Sequence, residues 1–136
     1  MISAVLALQT TAKALLAADA ALSGLLGGAR IYDGAQRDTT PPFVALDEIV
    51  TRRRDGLAAP LEEHRLTLRV WTKAGARRES AIIADRVITL LDDAAPALSG
   101  HRVVRLYLEA SDVRAAKDRV ATETILRFVA LTEPQG

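Results

Sequence analysis

The chain has 136 residues, of which 49% are hydrophobic and 26% are charged. This length and composition predict one folded domain spanning residues 1–136, rather than a disordered segment or two separate domains. The absence of cysteine excludes a disulfide framework, a thiol nucleophile, a thiolate zinc site and an iron–sulfur cluster. The net charge of +1 is too balanced to indicate a nucleic-acid or membrane partner.

The first 29 residues carry little charge. Lys13 and Asp19 are the only charged residues of 1–29, whereas the rest of the chain is densely charged. No basic stretch follows the first residue as in a signal peptide, and no uncharged run reaches the roughly 18 residues that a membrane span requires. We therefore expect this segment to be helical and heavily buried, by its own domain or by a neighbouring subunit.

Hydrophobic periodicity and capping residues predict seven elements along the chain. In order, they are helices over 3–18 and 20–26, strands over 43–52 and 63–72, a helix over 76–93, and strands over 101–110 and 119–132. A brief extended piece over 30–32 precedes the first strand. Two hairpins separated by a helix indicate an α+β fold, with an antiparallel four-stranded sheet and helices packed on one of its faces.

The apolar positions of these elements predict the core. Seven side chains are expected to be buried within the subunit: Leu68, Val70, Ile83, Val87, Leu91, Leu106 and Phe128. The same patterns assign Leu6 to the apolar side of the first helix, and Val50 and Val104 to the apolar faces of their strands. The last strand also has Ile125 and Val129 on its second face, which is typical of a central strand or of one covered by a partner.

The sequence has no recognisable catalytic, cofactor or metal motif. His64 and His101 each stand at the start of a predicted strand, without metal-ligand spacing, and are expected to face solvent. Asp47 and Glu48 are adjacent on a strand, so their side chains point to opposite faces and cannot act as one acid–base pair. The glycines form no phosphate-binding loop. We expect no catalytic, cofactor-binding or metal-binding residue, and no enzymatic activity.

The most basic stretch lies at the predicted turn of the first hairpin. Arg52, Arg53 and Arg54, together with Leu57 and Pro60, are our candidate residues for a protein interface. Arginine clusters contact acidic protein rims or nucleic-acid backbones, but charge at a hairpin tip can also serve only to keep strand edges from pairing. The few aromatic residues are scattered, so stacking on a single-stranded nucleic acid is not indicated.

Several short segments, in their order and spacing, resemble one known family. They are RIYDG at 30–34, PPFVALDE at 41–48, LTLRVWTKAG at 66–75, ITLLDD at 88–93 and ILRFVALTE at 125–133. The sequence is similar over nearly its whole length to the tail-terminator (tail-completion) proteins of long-tailed phages and phage-like gene transfer agents. It departs from the family pattern at 34–37, where members often carry a proline, and at 115–118, where they often carry an Asp-Gly turn; both departures fall in predicted loops.

The resemblance implies a structural protein that forms a hexameric ring at the head-proximal end of a tail tube. Such a ring stops tube elongation and joins the tail to the stopper or connector on the head side. The implied partners are copies of the chain, the tail tube protein and the stopper or connector protein. The resemblance implies no membrane partner, and at most incidental contact with DNA in the ring lumen. It places the chain in the tail of a virion or phage-like particle, after assembly in the bacterial cytoplasm.

The alternatives to a tail terminator are a small intracellular α+β binding or regulatory module, or an enzyme without recognisable motifs.

Overall fold

The computed structural model of the chain describes residues 3–34, 39–55, 60–115 and 121–135. The elements in chain order are α1 (Ala4–Ala17), α2 (Ala20–Leu26), β1 (Ile31–Asp33), β2 (Phe43–Asp55), β3 (Pro60–Lys73), α3 (Arg77–Leu91), β4 (His101–Ala115) and β5 (Ala121–Pro134). The helices cover one face of the sheet, termed here the inner face, and the opposite one is the outer face. The described elements include all seven that the sequence predicts, together with one further strand, β1.

The described strands form a five-stranded mixed sheet with the order β1-β2-β3-β5-β4. β1 is parallel to β2, with Ile31 beside Val44, and every other neighbouring pair is antiparallel. The prediction of an α+β fold is confirmed, but the prediction of a four-stranded antiparallel sheet is wrong. The extended piece over 30–32 is too short to show an alternation of its own, and it becomes a strand only because β2 offers it an edge to pair with.

Irregularities in strand pairing reverse two of the predicted side-chain orientations. The pairing register shifts at Asp47 in β2 and at Val104 in β4, where one extra residue interrupts the alternation. Val104 is consequently 44% exposed and Val103 is buried in its place. Val50 is likewise 39% exposed, while Ile49 packs against the core. The predicted inward positions of Val50 and Val104 are wrong. Val50 follows the extra residue of β2, which turns the later side chains to the other face, and Val104 is itself the extra residue of β4.

The core lies between the helices and the inner face of the sheet. All seven side chains predicted to be buried are buried: Leu68, Val70, Ile83, Val87, Leu91, Leu106 and Phe128. β5 lies between β3 and β4, which agrees with its two apolar faces. Ile125 and Val129 are buried on the outer face, which no described helix covers.

The two N-terminal helices begin with capping residues, Ser3 in α1 and Asp19 in α2. The Ser3 hydroxyl accepts a hydrogen bond from the Leu6 N–H at 3.2 Å, and α2 ends at Gly27, whose φ of 75° favours glycine. The side chains of α1 that face the core are Ala4, Ala7, Leu8, Ala12 and Leu16. Leu6 lies outside that stripe and is 49% exposed, so its predicted burial is wrong.

No single described helix is long and apolar enough to cross a membrane. α1 and α2 together reach such a length and composition, but the pair is bent by 77°. Both helices contribute buried side chains to the core next to the sheet.

An ion pair ties α2 to α3. Asp19 caps α2 by accepting from the Leu22 N–H at 2.8 Å, and it also accepts from Arg86 Nε at 2.8 Å and Arg86 Nη2 at 2.6 Å. The bonds from Arg86, and next the Leu22 amide, lower the pKa of Asp19 from its ordinary value of 3.8 to about 2. The carboxylate form is therefore favoured by the folded state.

This pKa gives a testable pH dependence. A carboxyl group with a depressed folded-state pKa stabilises the protein above its unfolded pKa, and that stabilisation is lost as the pH falls through the folded value. We expect the melting temperature of the wild type to fall more steeply between pH 4 and pH 2 than that of Asp19→Asn. Arg86→Gln should flatten the slope in the same way, since it removes the main cause of the shift. Equal slopes for all three proteins would contradict this assignment.

Candidate protein interface

The arginine run, Arg52 to Arg54, lies near the end of β2 in the β2–β3 hairpin. Arg52 pairs with Glu63 and Arg53 with Glu62 across the two strands. Because successive residues of a strand point to opposite faces, Arg52 and Arg54 lie on the outer face and Arg53 lies on the inner face. All three side chains are exposed. The run is thus two charged surfaces on one hairpin rather than a single basic patch.

Of the two remaining candidates, the structure describes Pro60, which lies at the same end of the hairpin. Pro60 is exposed and pairs with Asp55, while Leu57 lies outside the described residues. Arg54 Nη2 is 3.2 Å from the largely buried carboxylate of Glu63. The Arg54 side chain is 59% exposed, and Glu63 also pairs with Arg65, so Arg54 is available to exchange Glu63 for an acidic group of a partner.

A row of ion pairs crosses four strands on the outer face. Arg69 Nε donates to Asp47 at 2.6 Å, and Arg69 Nη1 donates to Glu123 at 3.1 Å. Glu123 also accepts from Arg114 Nε at 2.7 Å. The row therefore runs from the bulge of β2, over β3 and β5, to the exposed end of β4. It links Arg114, near the end of β4, to the three other strands on a face that none of the described helices covers.

A second row follows nearer the arginine end of the sheet. Glu63 is 3.4 Å from Arg65 Nε, and Arg65 forms a further ion pair with Glu109 of β4. To reach Glu109 the Arg65 side chain passes over β5, where Val129 is its partner in the register. Arginine stems cover apolar surface while their guanidinium groups stay in contact with water, and this accounts for the burial of Val129 without a helix above it.

An aromatic row lies at the other end of the outer face. The rings of Tyr32 and Phe43 are 5.7 Å apart in an edge-on arrangement, and those of Phe43 and Trp71 are 6.2 Å apart and stacked. These residues are far apart in sequence and meet only because β1, β2 and β3 are neighbours. Sequence reasoning missed both this row and the ion-pair rows; the only signal was the charge and aromatic content of alternate positions in β3.

The histidines are not at exposed strand ends as predicted. His64 is fully buried on the inner face, and His101 is buried as well. His64 Nδ1 is 2.8 Å from Thr51 Oγ1 and His64 Nε2 is 2.8 Å from Thr132 Oγ1, so both ring nitrogens are satisfied by hydroxyl groups. Burial lowers the pKa of His64, which favours the neutral ring. Among the described residues no group of three or more acidic or histidine side chains is placed to hold a metal ion.

Two comparisons, one with protein families and one with solved structures, find proteins similar to this chain. The family model of the tail completion protein gp17 matches residues 13–133. A chain of a solved structure described as the virion of a native gene transfer agent (GTA) particle has a similar fold, with a TM-score of 0.86 and 24% sequence identity. That similarity covers 98% of this chain and 99% of the other. No curated protein matches the sequence.

Proposed function

Since the chain belongs to the tail completion protein gp17 family, we propose that it terminates the tail tube of a phage-like particle. Family membership makes it a structural tail protein with a part in virion assembly rather than an enzyme, as the sequence predicted. Its location is the phage-like particle. The observation that carries the proposal is the family match, which spans residues 13–133 of the 136.

In the proposed role, copies of the chain form a hexameric ring at the head-proximal end of the tube. The ring stops tube elongation and joins the tail to the stopper or connector of the head. A subunit of such a ring needs two different matching patches for its neighbours, and further surfaces for the structures above and below it. We propose that residues 1–136 act as one domain in this ring, since the described helices and strands share one hydrophobic core.

The two hairpins supply surfaces at opposite ends of the sheet. Pro60, at the turn of the β2–β3 hairpin, lies at the end where β5 finishes. β4 ends at the other end of the sheet, and its residues 109–115 are exposed on both faces. One projecting end for the tube and one for the head-side stopper is what a joining protein requires. The exposed ends of the two hairpins support this arrangement.

The arginine end of the β2–β3 hairpin is the surface that we assign to docking. Arg52, Arg53 and Arg54 offer positive charge on both faces of the hairpin, and the exposed Pro60 adds apolar area at the same end; Leu57, three residues after Arg54 in the sequence, is included in the proposed surface. Such a surface fits an acidic rim on the tube or stopper protein, where complementary charge speeds association. The net charge of +1 gives no comparable support for a DNA-binding role, so contact with DNA in the lumen is incidental in this proposal.

Removal of the gene from a producing strain tests the proposal. Without a terminator nothing stops tube growth, so electron micrographs should show free tails of widely varying length and heads without tails. Expression of the wild-type chain from a plasmid should restore tailed particles of uniform length, and the same plasmid with an early stop codon should not. Particles with normal tail length and normal joining in the deletion strain would refute the role.

A further inference from the structure

β4 is an edge strand of the sheet, and only part of its free edge is covered by other residues. Free strand edges expose unpaired backbone groups and are normally covered or blocked. Here the turn after α3 does this, because the Asp93 N–H donates to the Leu106 carbonyl at 2.9 Å and Asp92 Oδ1 accepts from the Leu108 N–H at 2.8 Å. Residues 110–115 lie beyond this cover, are exposed on both faces and have no further strand beside them within the described part of the chain.

The opposite side of the sheet has a second free edge. β1 pairs with β2 only at residues 44–46. None of the described strands lies beside the outer edge of β2 over residues 49–55. The subunit thus has two different open edges, termed here the β4 edge (110–115) and the β2 edge (49–55). Both are long enough for about three hydrogen-bonded residue pairs.

We propose that these two edges pair with each other between copies of this chain, so that the β4 edge of one subunit adds antiparallel to the β2 edge of the next. The inference rests on the proposed ring and names the contact that builds it. Strands β2, β3, β5 and β4 alternate in direction across the sheet. When neighbouring subunits are related by rotation and their strands share one tilt to the ring axis, β2 of the next copy therefore runs antiparallel to β4. The contact is head-to-tail and closes only as a ring.

One register satisfies the requirements of both edges. It places Asp112 opposite Arg52 and Val113 opposite Thr51, with the two open segments centred on each other. Asp112 and Arg52 both belong to the outer face, and Val113 and Thr51 both belong to the inner face. The sheet then continues from subunit to subunit with its inner face on one side throughout. A shift by one residue would place inner-face side chains opposite outer-face ones.

The backbone groups of this register also match. In β4 the Leu108 N–H points away from β5, since it donates to Asp92, and in β2 the Leu46 carbonyl points away from β3, since it accepts from the Gly34 N–H. β4 then has a second bulge, at Glu109, and β2 has its bulge at Asp47; after each of them the alternation of an antiparallel strand resumes. That alternation directs the backbone of residues 111, 113 and 115 and of residues 49, 51 and 53 toward the open edges. The opposed residues of the register therefore present donors to acceptors.

Side-chain chemistry favours a second copy as the occupant. Glu123 already holds Arg114, so Asp112 is the outer-face charge that the β4 edge offers. The register sets this carboxylate beside the exposed Arg52 guanidinium of the next copy and leaves Arg53 and Arg54 as the hairpin arginines for docking. It also covers Val50 and Val113, which are 39% and 38% exposed in the single subunit. One contact thus pairs opposite charges and buries two of the exposed apolar side chains.

The offset between the two edges fits a closed sheet. Through the pairing registers, Asp112 is level with Arg69 of β3 and Arg52 is level with Glu63, six residues away along the same strand. From one subunit to the next, the sheet therefore shifts by about 20 Å along the strands. Over the same four strand spacings it advances by about 19 Å across them. The strands would tilt by about 45°, which lies at the upper end of the 35–45° of closed β-barrels. Pairing of these particular edges is therefore compatible with ring closure.

Paired cysteines test the contact, because the wild-type chain contains none. Arg52→Cys combined with Asp112→Cys places one thiol on each edge, at a closely spaced pair suited to a disulfide. Oxidation of particles carrying this variant should give a ladder of covalent multimers on a non-reducing gel, ending at the closed ring. Each single variant should stay monomeric. Arg53→Cys with Asp112→Cys is the matched control, since its thiols lie on opposite faces and should link far less.

The results separate this inference from the function on which it rests. If the chain is found in tails but the ladder is missing, or if the control pair gives the same ladder, edge pairing is refuted and the terminator role stands. Dimers from a single-cysteine variant would indicate two-fold pairing instead and would also refute it. The same oxidation is carried out on the concentrated purified protein. If the chain is absent from tails, the function fails, and the ladder or its absence in the purified protein still decides the edge contact.

Discussion

Replacement of Phe128 by alanine is expected to lower the free energy of unfolding by about 3–5 kcal/mol. The Phe128 side chain projects from β5 and is fully buried between the inner face of the sheet and the helices. Its removal sacrifices the transfer free energy of the side chain and leaves a cavity that rigid neighbours fill only in part. Leu91→Ala, at the end of the buried stripe of α3, should cost about 2–5 kcal/mol for the same reason. Urea unfolding followed by circular dichroism measures both.

A pair of neighbouring valines provides the control. Val103 is buried and Val104 is exposed, although the alternation of the sequence predicts the reverse. Val103→Ala is therefore expected to cost about 1–2 kcal/mol, and Val104→Ala less than about 0.5 kcal/mol. An unchanged unfolding midpoint in both Phe128→Ala and Leu91→Ala would show that the core is misassigned. A larger effect at Val104 than at Val103 would show that the bulge at Val104 is misassigned.

The parts of the fold that follow from local pattern were predictable from sequence. The buried stripe of α3 follows from apolar spacing over one helix, and the α2 cap at Asp19 follows from a single favourable residue type. The inward alternation of β3, with Leu68 and Val70, needs only one regular strand. Each of these features is decided by residues within one element, and the sequence shows such residues directly.

Features that depend on distant pairing were not predictable. Nothing in the local sequence shows that β2 has an extra residue at Asp47, because a bulge is defined only by the partner strand. His64 is buried because Thr132, 68 residues away, supplies a hydroxyl group for one of its ring nitrogens. β1 exists because β2 leaves it a parallel edge. Each requires the sheet order, which a single sequence does not reveal.

The place of the arginine run in the fold was predictable, but the contacts around it were not. The charge run and the turn residues located the arginines at the exposed end of a hairpin, where the structure also has them. The ion-pair row through Arg69 and Glu123 joins residues 54 positions apart, so neither its existence nor its support of the β4 end follows from spacing. The two open edges likewise become visible only once the strand order is known.

Charge reversal at the hairpin is expected to impair assembly while the subunit still folds. Arg53→Glu combined with Arg54→Glu changes two exposed side chains, so the circular dichroism spectrum should match that of the wild type. If the hairpin docks on an acidic rim, two attractive contacts become repulsive, and the affinity for tube or stopper should fall about tenfold or more, a penalty of at least about 1.4 kcal/mol. The readout is the number of tailed particles after complementation of a deletion strain.

The matched control is Arg77→Glu with Arg78→Glu, which makes the same change in net charge at the exposed start of α3. It separates a requirement for the hairpin arginines from a general effect of lost positive charge, and it should restore tailed particles to wild-type numbers. Raised salt should weaken joining in the wild type but have little effect on what joining remains in the hairpin variant, because the screened attraction is already gone. Normal tail length and normal head–tail joining in the hairpin variant would mean that Arg53 and Arg54 only keep the hairpin end solvated.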